Sequence, residues 1–264
     1  MKPLERLRAA LRKRRRPALT VSEERGVRQL HVGGEAIQSA MRLEDPWALE
    51  LDYTRSMMAF LLFHPAPRRA LMIGLGGGSL AKFFHRRLPG LRTRCVELDE
   101  RVIAAARALF HLPPDDERLN VVQGDGVEML EPECCDLLVV DVFEDEAMPA
   151  ALASQAFFDA AWCALEEPGA LVVNFMDDDR DFEGSLQRLE RAFGGSVLCL
   201  HALRDPNVIA LALKGAPPRI SWWALCDGAE DLERRYGLPF PRYVHALRHM
   251  NRSDDGDLVI SPGQ

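Results

Sequence analysis

The sequence predicts an α/β protein with a doubly wound, mostly parallel sheet of seven strands. Short apolar runs alternate with helical patterns from residue 70 to residue 193. This spacing is typical of a parallel sheet with helices on both faces. Two further apolar runs, 196–202 and 208–214, are separated by a connection too short for a parallel crossover. The sheet is therefore expected to end in an antiparallel hairpin.

The remaining elements are predicted in chain order. The other sheet strands are expected at 70–75, 92–97, 119–123, 137–141 and 170–175, with helices at 79–88, 100–110, 127–130, 154–165 and 182–193. Upstream, 27–32 and 35–38 flank Gly33-Gly34 and predict a β-hairpin. Residues 45–63 have helical spacing, and His64-Pro65-Ala66-Pro67 ends that helix.

Four segments follow from this pattern. They are a basic arm at 1–17, a hairpin and helix region at 18–66, the sheet domain at 67–215, and a C-terminal segment at 216–264 with one helical piece at 229–236. The arm either contacts nucleic acid or anionic lipid or is a solvated, partly frayed helix with no partner. The net charge of −7 and the pI near 5.6 make nucleic acid unlikely as the main partner.

Several classes of protein are not expected. The sequence has no run of about 20 apolar residues, and no apolar stretch follows its N-terminal charges, so we expect neither a membrane span nor a secretory leader. Six cysteines without a CxxC pair are expected to be reduced and mostly buried, which is typical of a cytoplasmic protein. The scattered histidines lack metal-ligand spacing, so no metal site is expected.

A glycine-rich loop follows the first sheet strand. The stretch MIGLGGGSLAKFF places Gly74, Gly76, Gly77 and Gly78 before a helix. Such glycines let a ligand approach the backbone, and the helix N-terminus offers free N–H groups. Ser79 breaks the GxGxxG pattern. The loop alone fits a dinucleotide, an adenosyl sulfonium or a tight turn.

Carboxylates follow the next three strands. Glu97 ends the second strand, Asp125 and Gly126 follow the third, and Asp141 ends the fourth. Ligands of open parallel sheets bind at this edge, where Glu97 can accept ribose hydroxyls and Asp125 an adenine amino group. Glu97 alone fits a nicotinamide cofactor equally well. Together with the terminal hairpin, the pattern resembles the Rossmann-like fold of class I S-adenosylmethionine-dependent methyltransferases more than a dehydrogenase.

Within that fold, residues 27–214 resemble the spermidine synthases, a family of aminopropyltransferases. The resemblance is carried by Ala36-Ile37-Gln38, by Tyr53 in LELDYTRSM, and by HPAP before the first sheet strand. It continues through VELDERVI, DDERLNVVQGDGVEML and the segment that begins LLVVDVFEDEAMP. Each piece alone is weak, but the combination is specific.

The resemblance implies roles for these positions. Gln38 would lie near the thioether of the ligand, Glu97 would bind ribose, and Asp125 with Gly126 would bind adenine. Tyr53 and Asp141 would be catalytic, with Asp141 orienting and deprotonating the attacking amine. Glu144 suits the same catalytic role, as the second carboxylate of a pair that binds the ammonium and accepts its proton. Decarboxylated S-adenosylmethionine would be the co-substrate and putrescine the amine, with no prosthetic group or metal ion. Members of the family commonly form homodimers.

The sequence departs from the family at the acceptor half. Gly77 stands where the family has the Asp that holds the aminopropyl ammonium, Glu144 replaces a second Asp, and Arg55 replaces a Glu. Methyl transfer from intact S-adenosylmethionine, with Arg55 facing its carboxylate, stays an alternative, as does a non-catalytic adenosyl-ligand or polyamine sensor. Further carboxylates either attract polycations or are solvated loop charges; these are Asp145, Glu146 and Asp177 to Asp179.

Overall fold

A computed structural model describes residues 18–143 and 147–260. The chain begins there with a three-stranded antiparallel sheet, whose strands are β1 (Leu19–Glu24), β2 (Val27–Val32) and β3 (Ser39–Arg42). The predicted hairpin exists, but its second strand is at 39–42 and not at 35–38. Ser39, Ala40 and Met41 are buried, whereas 33–37 are exposed. Strand pairing therefore begins where side chains can be buried.

The predicted helix at 45–63 is shorter than expected. Helix α1 covers Asp52–Met57, and a 3-10 helix continues it over Met58–Leu62. The side chain of Asp45 accepts the backbone N–H of Trp47 at 3.2 Å, which gives the preceding segment a local turn instead of a helix. This short helix carries Tyr53.

The central sheet has the seven predicted strands, in the order β6-β5-β4-β7-β8-β10-β9. The first five of these pair in parallel, and β10 pairs antiparallel with both β8 and β9. The bounds are β4 Arg69–Ile73, β5 Arg92–Glu97, β6 Leu119–Gln123, β7 Cys135–Val140, β8 Leu165–Met176, β9 Val197–His201 and β10 Asn207–Lys214. The predicted fold class and terminal hairpin are confirmed.

Helices cover both faces of this sheet. They are α2 (Ser79–Arg87), α3 (Glu100–Leu109), α4 (Gln155–Ala164) and α5 (Phe182–Ala192), and a 3-10 helix covers Gly126–Met129. Side chains of α2, such as Phe84, share a core with one face of the sheet. Phe157 and Phe158 of α4 and Leu189 of α5 pack on the other face.

The C-terminal segment is more ordered than the sequence predicts. It contains α6 (Trp222–Tyr236), α7 (Phe240–Met250) and a small antiparallel sheet of β11 (Arg219–Ser221), β12 (Ser253–Asp254) and β13 (Asp257–Val259). The predicted helical piece at 229–236 is the second half of α6. The rest of the segment, for which no further element was predicted, contains a second helix and three short strands. Its apolar residues are spaced as one face of each helix, and Leu225, Tyr243 and Leu247 join the core beside α2.

The burial of the cysteines and the length of the helices bear on two further expectations. Of the cysteines, Cys95, Cys135 and Cys199 are buried, whereas Cys163 and Cys226 are exposed, so burial is less general than predicted. Across 18–143 and 147–260, every helix is too short or too polar to cross a membrane.

Candidate active site

Parallel pairing brings the predicted site residues to one edge of the sheet. The strand order β6-β5-β4-β7 sets Asp125, Glu97, Gly74 and Asp141 side by side, because each follows or ends one of these strands. The carboxyl ends of parallel strands share an edge, so sequence-distant residues become neighbours. Tyr53 reaches the same edge from α1, where its hydroxyl lies 3.4 Å from Asp141 Oδ2.

Asp141 is hydrogen-bonded by groups from three other elements of the fold, β4, β8 and α1. Its backbone N–H donates to Ile73 O at 3.0 Å, which continues the pairing of β7 with β4. Asn174 Nδ2 donates to Asp141 Oδ1 at 2.9 Å. The single proton of the Tyr53 hydroxyl is shared between two acceptors, Asp141 Oδ2 at 3.4 Å and the Gln38 carbonyl oxygen at 3.3 Å. Each carboxylate oxygen thus has one protein donor.

Burial dominates the electrostatics of Asp141. It raises the pKa of this carboxyl to about 6, and the hydrogen bonds from Asn174 and Tyr53 oppose the rise. The pKa of Tyr53 is also raised, chiefly by burial and then by the charges of Asp141 and Asp205. Near neutral pH the pair is therefore a carboxylate beside a protonated phenol.

Glu97 is tied to the backbone around it. Its Oε2 accepts Leu75 N–H at 3.0 Å, and its Oε1 accepts Asp99 N–H at 2.9 Å. Burial raises the pKa of Glu97, and these hydrogen bonds oppose the rise. Helix α3 has a separate cap, because the Asp99 side chain accepts Arg101 N–H. Glu97 consequently joins the glycine loop to the end of β5.

Asp125 is exposed and caps the short 3-10 helix, where its Oδ1 accepts Val127 N–H at 3.0 Å. Two exposed apolar side chains lie beside these carboxylates. Leu98, next to Glu97, is 72% exposed, and Val127 is 37% exposed. The edge therefore offers polar groups with apolar surface between them.

The glycine loop packs closely against protein atoms. Gly74 has φ +95°, and a Cβ there would overlap the Asp141 carbonyl oxygen. A Cβ on Gly77 would lie 2.8 Å from Ser39 Oγ and 2.9 Å from Phe110 Cδ1. Both neighbours are buried. The space beside Gly77 is thus filled by β3 and the end of α3, and an Asp does not fit there without movement.

Arg55 is engaged by its own surroundings. Its Nε donates to the Leu49 carbonyl oxygen at 2.6 Å, and its guanidinium lies 3.8 Å from Glu50 and 3.9 Å from Asp52. The Arg55 guanidinium therefore has a hydrogen-bond acceptor and two carboxylates of the protein as neighbours. The expectation that Arg55 faces a ligand carboxylate therefore gains no support from its contacts.

The acidic residues after β8 form a turn at the same edge. Asp177 and Asp178 are exposed, whereas Asp179 accepts the backbone N–H groups of Met148 and Asp181. The predicted Glu144, with Asp145 and Glu146, lies outside the described residues. Among the residues that are described, no group of three or more His, Cys, Asp or Glu side chains could hold a metal ion.

Sequence reasoning missed three polar residues near Asp141. Asn174 interrupts the buried apolar run ALVVNFM and is fully buried. Asn207 Nδ2 donates to Asn174 Oδ1 at 3.0 Å, and Asp205 Oδ2 accepts Tyr53 N–H at 2.9 Å. A polar residue inside a buried strand run is a signal that could have identified Asn174.

Comparisons with known proteins agree with this geometry. Residues 50–177 match the family model described as the spermine/spermidine synthase domain. The chain is 37% identical over 246 residues to a polyamine aminopropyltransferase of Chromobacterium violaceum, which covers 92% of this chain and 94% of the relative.

Two solved structures share the fold. A probable spermidine synthase from Corynebacterium glutamicum superposes with a TM-score of 0.63 at 20% identity, covering 93% of this chain and 95% of that one. Human methyltransferase-like protein 13 in complex with SAH superposes with a TM-score of 0.62 at 23% identity, covering 78% and 96%.

The fold and the carboxylate-lined edge place this protein in the class with the Rossmann-like methyltransferase fold. The sequence match then specifies the family. The chain belongs to the spermine/spermidine synthase family, since the relationship extends over nearly its whole length. The predicted family resemblance is confirmed.

Replacing Asp141 by Asn tests its buried charge. The pKa of about 6 in the folded chain exceeds that of an unfolded aspartate, so ionisation costs stability. The cost is absent below about pH 4, grows as the pH rises, and is complete above about pH 6. We expect Asp141→Asn to raise the free energy of unfolding at about pH 7.5 by on the order of 2 kcal/mol, with little change near about pH 3.5, in urea denaturation.

Asp136, near the start of the strand β7 that Asp141 directly follows, is the matched control with the opposite sign. Burial opposes its ionisation, but the His64 imidazole, 3.6 Å away, and hydrogen bonds from the backbone N–H groups of Arg69 and Arg68 outweigh burial and lower its pKa. Asp136→Asn should therefore lower stability at about pH 7.5. Equal effects of the two substitutions at neutral pH would contradict our account of Asp141.

Replacing Gly77 by Ala tests the packing of the glycine loop. The new methyl group must displace Ser39 or Phe110, so we expect a loss of about 1–3 kcal/mol in the free energy of unfolding. Gly90→Ala is the control, because a Cβ there meets no atom within 4 Å. Ser39→Gly should partly restore the stability of Gly77→Ala. An unchanged stability of Gly77→Ala would show that the loop is loosely packed.

Proposed function

We propose that this chain transfers an aminopropyl group from decarboxylated S-adenosylmethionine to an amine such as putrescine. The observation that carries this proposal is the buried Asp141 carboxylate beside Tyr53 at the carboxyl edge of the sheet. Family membership supports it, because the similar chain of Chromobacterium violaceum is a polyamine aminopropyltransferase. A methyl transfer needs alignment but no buried carboxylate of this kind.

We assign the adenosyl half of the donor to the edge formed by β4, β5 and β6. Glu97 accepts the ribose hydroxyls and Asp125 the adenine amino group, with Gly126 closing the pocket. Leu98 and Val127 provide exposed apolar surface for the adenine ring. Both Glu97 oxygens already accept backbone N–H groups, which fixes their direction before a ligand arrives.

The reaction is an in-line displacement at the carbon attached to the sulfonium. The amine nitrogen forms a bond to this carbon, the C–S bond breaks, and its electrons neutralise the sulfonium, so methylthioadenosine leaves uncharged. The attacking amine has a pKa near 10 and must lose a proton. Asp141 accepts this proton and passes it to solvent, while Tyr53 orients the carboxylate. Alignment of the two substrates supplies much of the rate.

The ammonium of the donor presents the main departure from the family pattern. Ser39 and Phe110 occupy the space beside Gly77, so a carboxylate is not held there. We assign binding of the aminopropyl end to the Asp141 edge, with Gln38 beside the thioether and the Gly74, Gly76, Gly77 and Gly78 backbone beneath it. Glu144 is proposed as the second acidic group of the amine site.

Methyl transfer from intact S-adenosylmethionine is the second candidate. It is favoured by the absence of an Asp at Gly77 and by the fold shared with human methyltransferase-like protein 13. That neighbour is only 23% identical, so it bears on the fold alone. The relative with 37% identity over 92% of the chain favours aminopropyl transfer. A non-catalytic adenosyl-ligand or polyamine sensor is a third candidate, because such a protein needs the same binding edge without turnover.

A donor comparison distinguishes these candidates. Calorimetric titrations with decarboxylated S-adenosylmethionine, intact S-adenosylmethionine and methylthioadenosine measure binding, and mass spectrometry after incubation with putrescine measures spermidine. We expect tighter binding of the decarboxylated donor and equimolar spermidine and methylthioadenosine. A strong preference for the intact donor contradicts aminopropyl transfer. Binding without product from either donor identifies a sensor.

Separate substitutions test the two halves of the site. Asp141→Asn should lower kcat by about 10²–10⁴-fold while changing the methylthioadenosine Kd little, because Asp141 acts on the amine. Glu97→Gln should raise that Kd by about tenfold or more, because a charged ribose acceptor is lost. Glu117→Gln, an exposed control, should change neither. Equal losses of kcat and nucleoside affinity in Asp141→Asn would contradict its assigned place.

Assembly is the remaining part of the proposal. We propose a homodimer in solution, as is common in the family, with small amines as partners and the cytoplasm as location. Sedimentation velocity measures the oligomeric state directly. The basic arm lies outside the described residues, so its part in any contact with nucleic acid stays a prediction.

A further inference from the structure

We propose that the segment Asp205–Asn207, which ends the turn after β9 and begins β10, positions both Tyr53 and Asp141 for the reaction. We name this segment the support turn. It lies beyond the matched family segment 50–177 and contributes no proposed substrate contact. The inference rests on the proposed function, since it concerns how the amine-activating pair is held.

One branch of the support turn leads to Asp141. Asn207 Nδ2 donates to Asn174 Oδ1 at 3.0 Å, and Asn174 Nδ2 donates to Asp141 Oδ1 at 2.9 Å. Asn174 is fully buried and Asn207 is 5% exposed. In a buried site such a chain has one favourable direction, because each amide oxygen must accept and each amide nitrogen must donate.

Strand order explains why these three residues meet. The strands β7, β8 and β10 are consecutive in the sheet, and Asp141 follows the end of β7. Asn207 pairs with Met176, two residues beyond Asn174 on β8. Residues two apart on a strand point to the same face, so Asn207 and Asn174 are diagonal neighbours.

The other branch leads to Tyr53. Asp205 Oδ2 accepts the backbone N–H of Tyr53 at 2.9 Å, in the first turn of α1. The N-cap residue of this helix, Leu51, has no side-chain cap, so Asp205 supplies the missing acceptor from another part of the chain. The backbone that carries the Tyr53 hydroxyl is thereby tied to the same turn.

The two branches together determine which carboxylate oxygen faces the amine. Asn174 occupies Asp141 Oδ1, which leaves Oδ2 to Tyr53 and to the substrate. Among the described residues, the polar side chains that face Asp141 are Tyr53 from α1 and Asn174 from β8. Burial and then the charges of Asp141 and Asp205 raise the pKa of Tyr53. The hydrogen bond from Asn174 also opposes the rise of the Asp141 pKa caused by burial.

The first test measures kcat against pH for Asn174→Ala and Asn207→Ala. Asn174→Ala removes the donor to Asp141, and Asn207→Ala removes the donor that holds Asn174. Both should lower kcat, Asn174→Ala by about tenfold or more, because a hydrogen bond to a charged group is removed. The acid limb of the pH profile should move to higher pH, since less of Asp141 is ionised at a given pH. The Kd of methylthioadenosine should stay within about threefold. A fall in kcat with an unmoved acid limb would show a merely structural role.

The second test is a double-mutant cycle. If Asn207 acts through Asn174, the variant Asn174→Ala/Asn207→Ala should have the same kcat as Asn174→Ala alone. If the fold losses in kcat of the two single variants multiply in the double variant, Asn207 does not act through Asn174. Asn207→Leu, which keeps the side-chain shape without the donor, repeats the test where the smaller residue impairs folding. Asn120→Ala, an exposed asparagine at the opposite sheet edge, is the control.

The third test concerns the Tyr53 branch. Asp205→Asn keeps an oxygen acceptor for the Tyr53 N–H, so it should retain most of kcat, whereas Asp205→Ala should lower it by about tenfold. Equal losses in both would show that the charge of Asp205 matters and not its capping contact. Wild-type protein without aminopropyl transfer would refute the proposed function. Active wild type with unaffected support-turn variants would refute this inference alone.

Discussion

A carboxylate at the exit of a buried strand, Asp141, needs donors that the surrounding fold must deliver. Its ionised form loses water on burial, and this loss is offset only in part by hydrogen bonds. The donors come from Tyr53 on α1 and Asn174 on β8, more than thirty residues away in sequence in each case. The sheet order, the terminal hairpin and the N-terminal region therefore all help to place the hydrogen-bond donors of Asp141.

The same site also restricts the glycine loop. Gly74 lies against the Asp141 carbonyl oxygen, and Gly77 lies against Ser39 and Phe110. At both positions a methyl group would meet atoms that have little room to move. The glycines thus allow three elements, β4, β7 and β3, to approach one another closely. The close packing alone accounts for glycine at Gly74 and Gly77.

The sequence predicted the repeating part of the fold better than its ends. Strands β4 to β10 follow from apolar runs at regular spacing, and the short connection after His201 correctly indicated the antiparallel hairpin. The second hairpin strand was misplaced because the residue types at 35–38 do not distinguish that segment from 39–42, where the side chains are buried. The first half of α6 and all of α7 were missed, although their apolar residues are spaced as one face of a helix. The partner of that face is the core beside α2, which is distant in the sequence.

The candidate site divides in the same way. Glu97, Asp125 and Asp141 follow strand ends, so their common edge was predictable from the parallel order. The hydrogen-bond chain from Asn207 through Asn174 to Asp141 was not predictable, because it depends on which strands become neighbours and in what register. The pKa of Asp136, at the start of β7, is lowered although it is buried, because the nearby His64 and the backbone N–H groups of Arg69 and Arg68 favour its charged form. The pKa of Asp141, directly after β7, is raised because the hydrogen bonds from Asn174 and Tyr53 do not offset its burial. Two carboxylates at opposite ends of one strand therefore differ in how far their donors offset burial, and the apolar pattern of the strand predicts neither pKa shift.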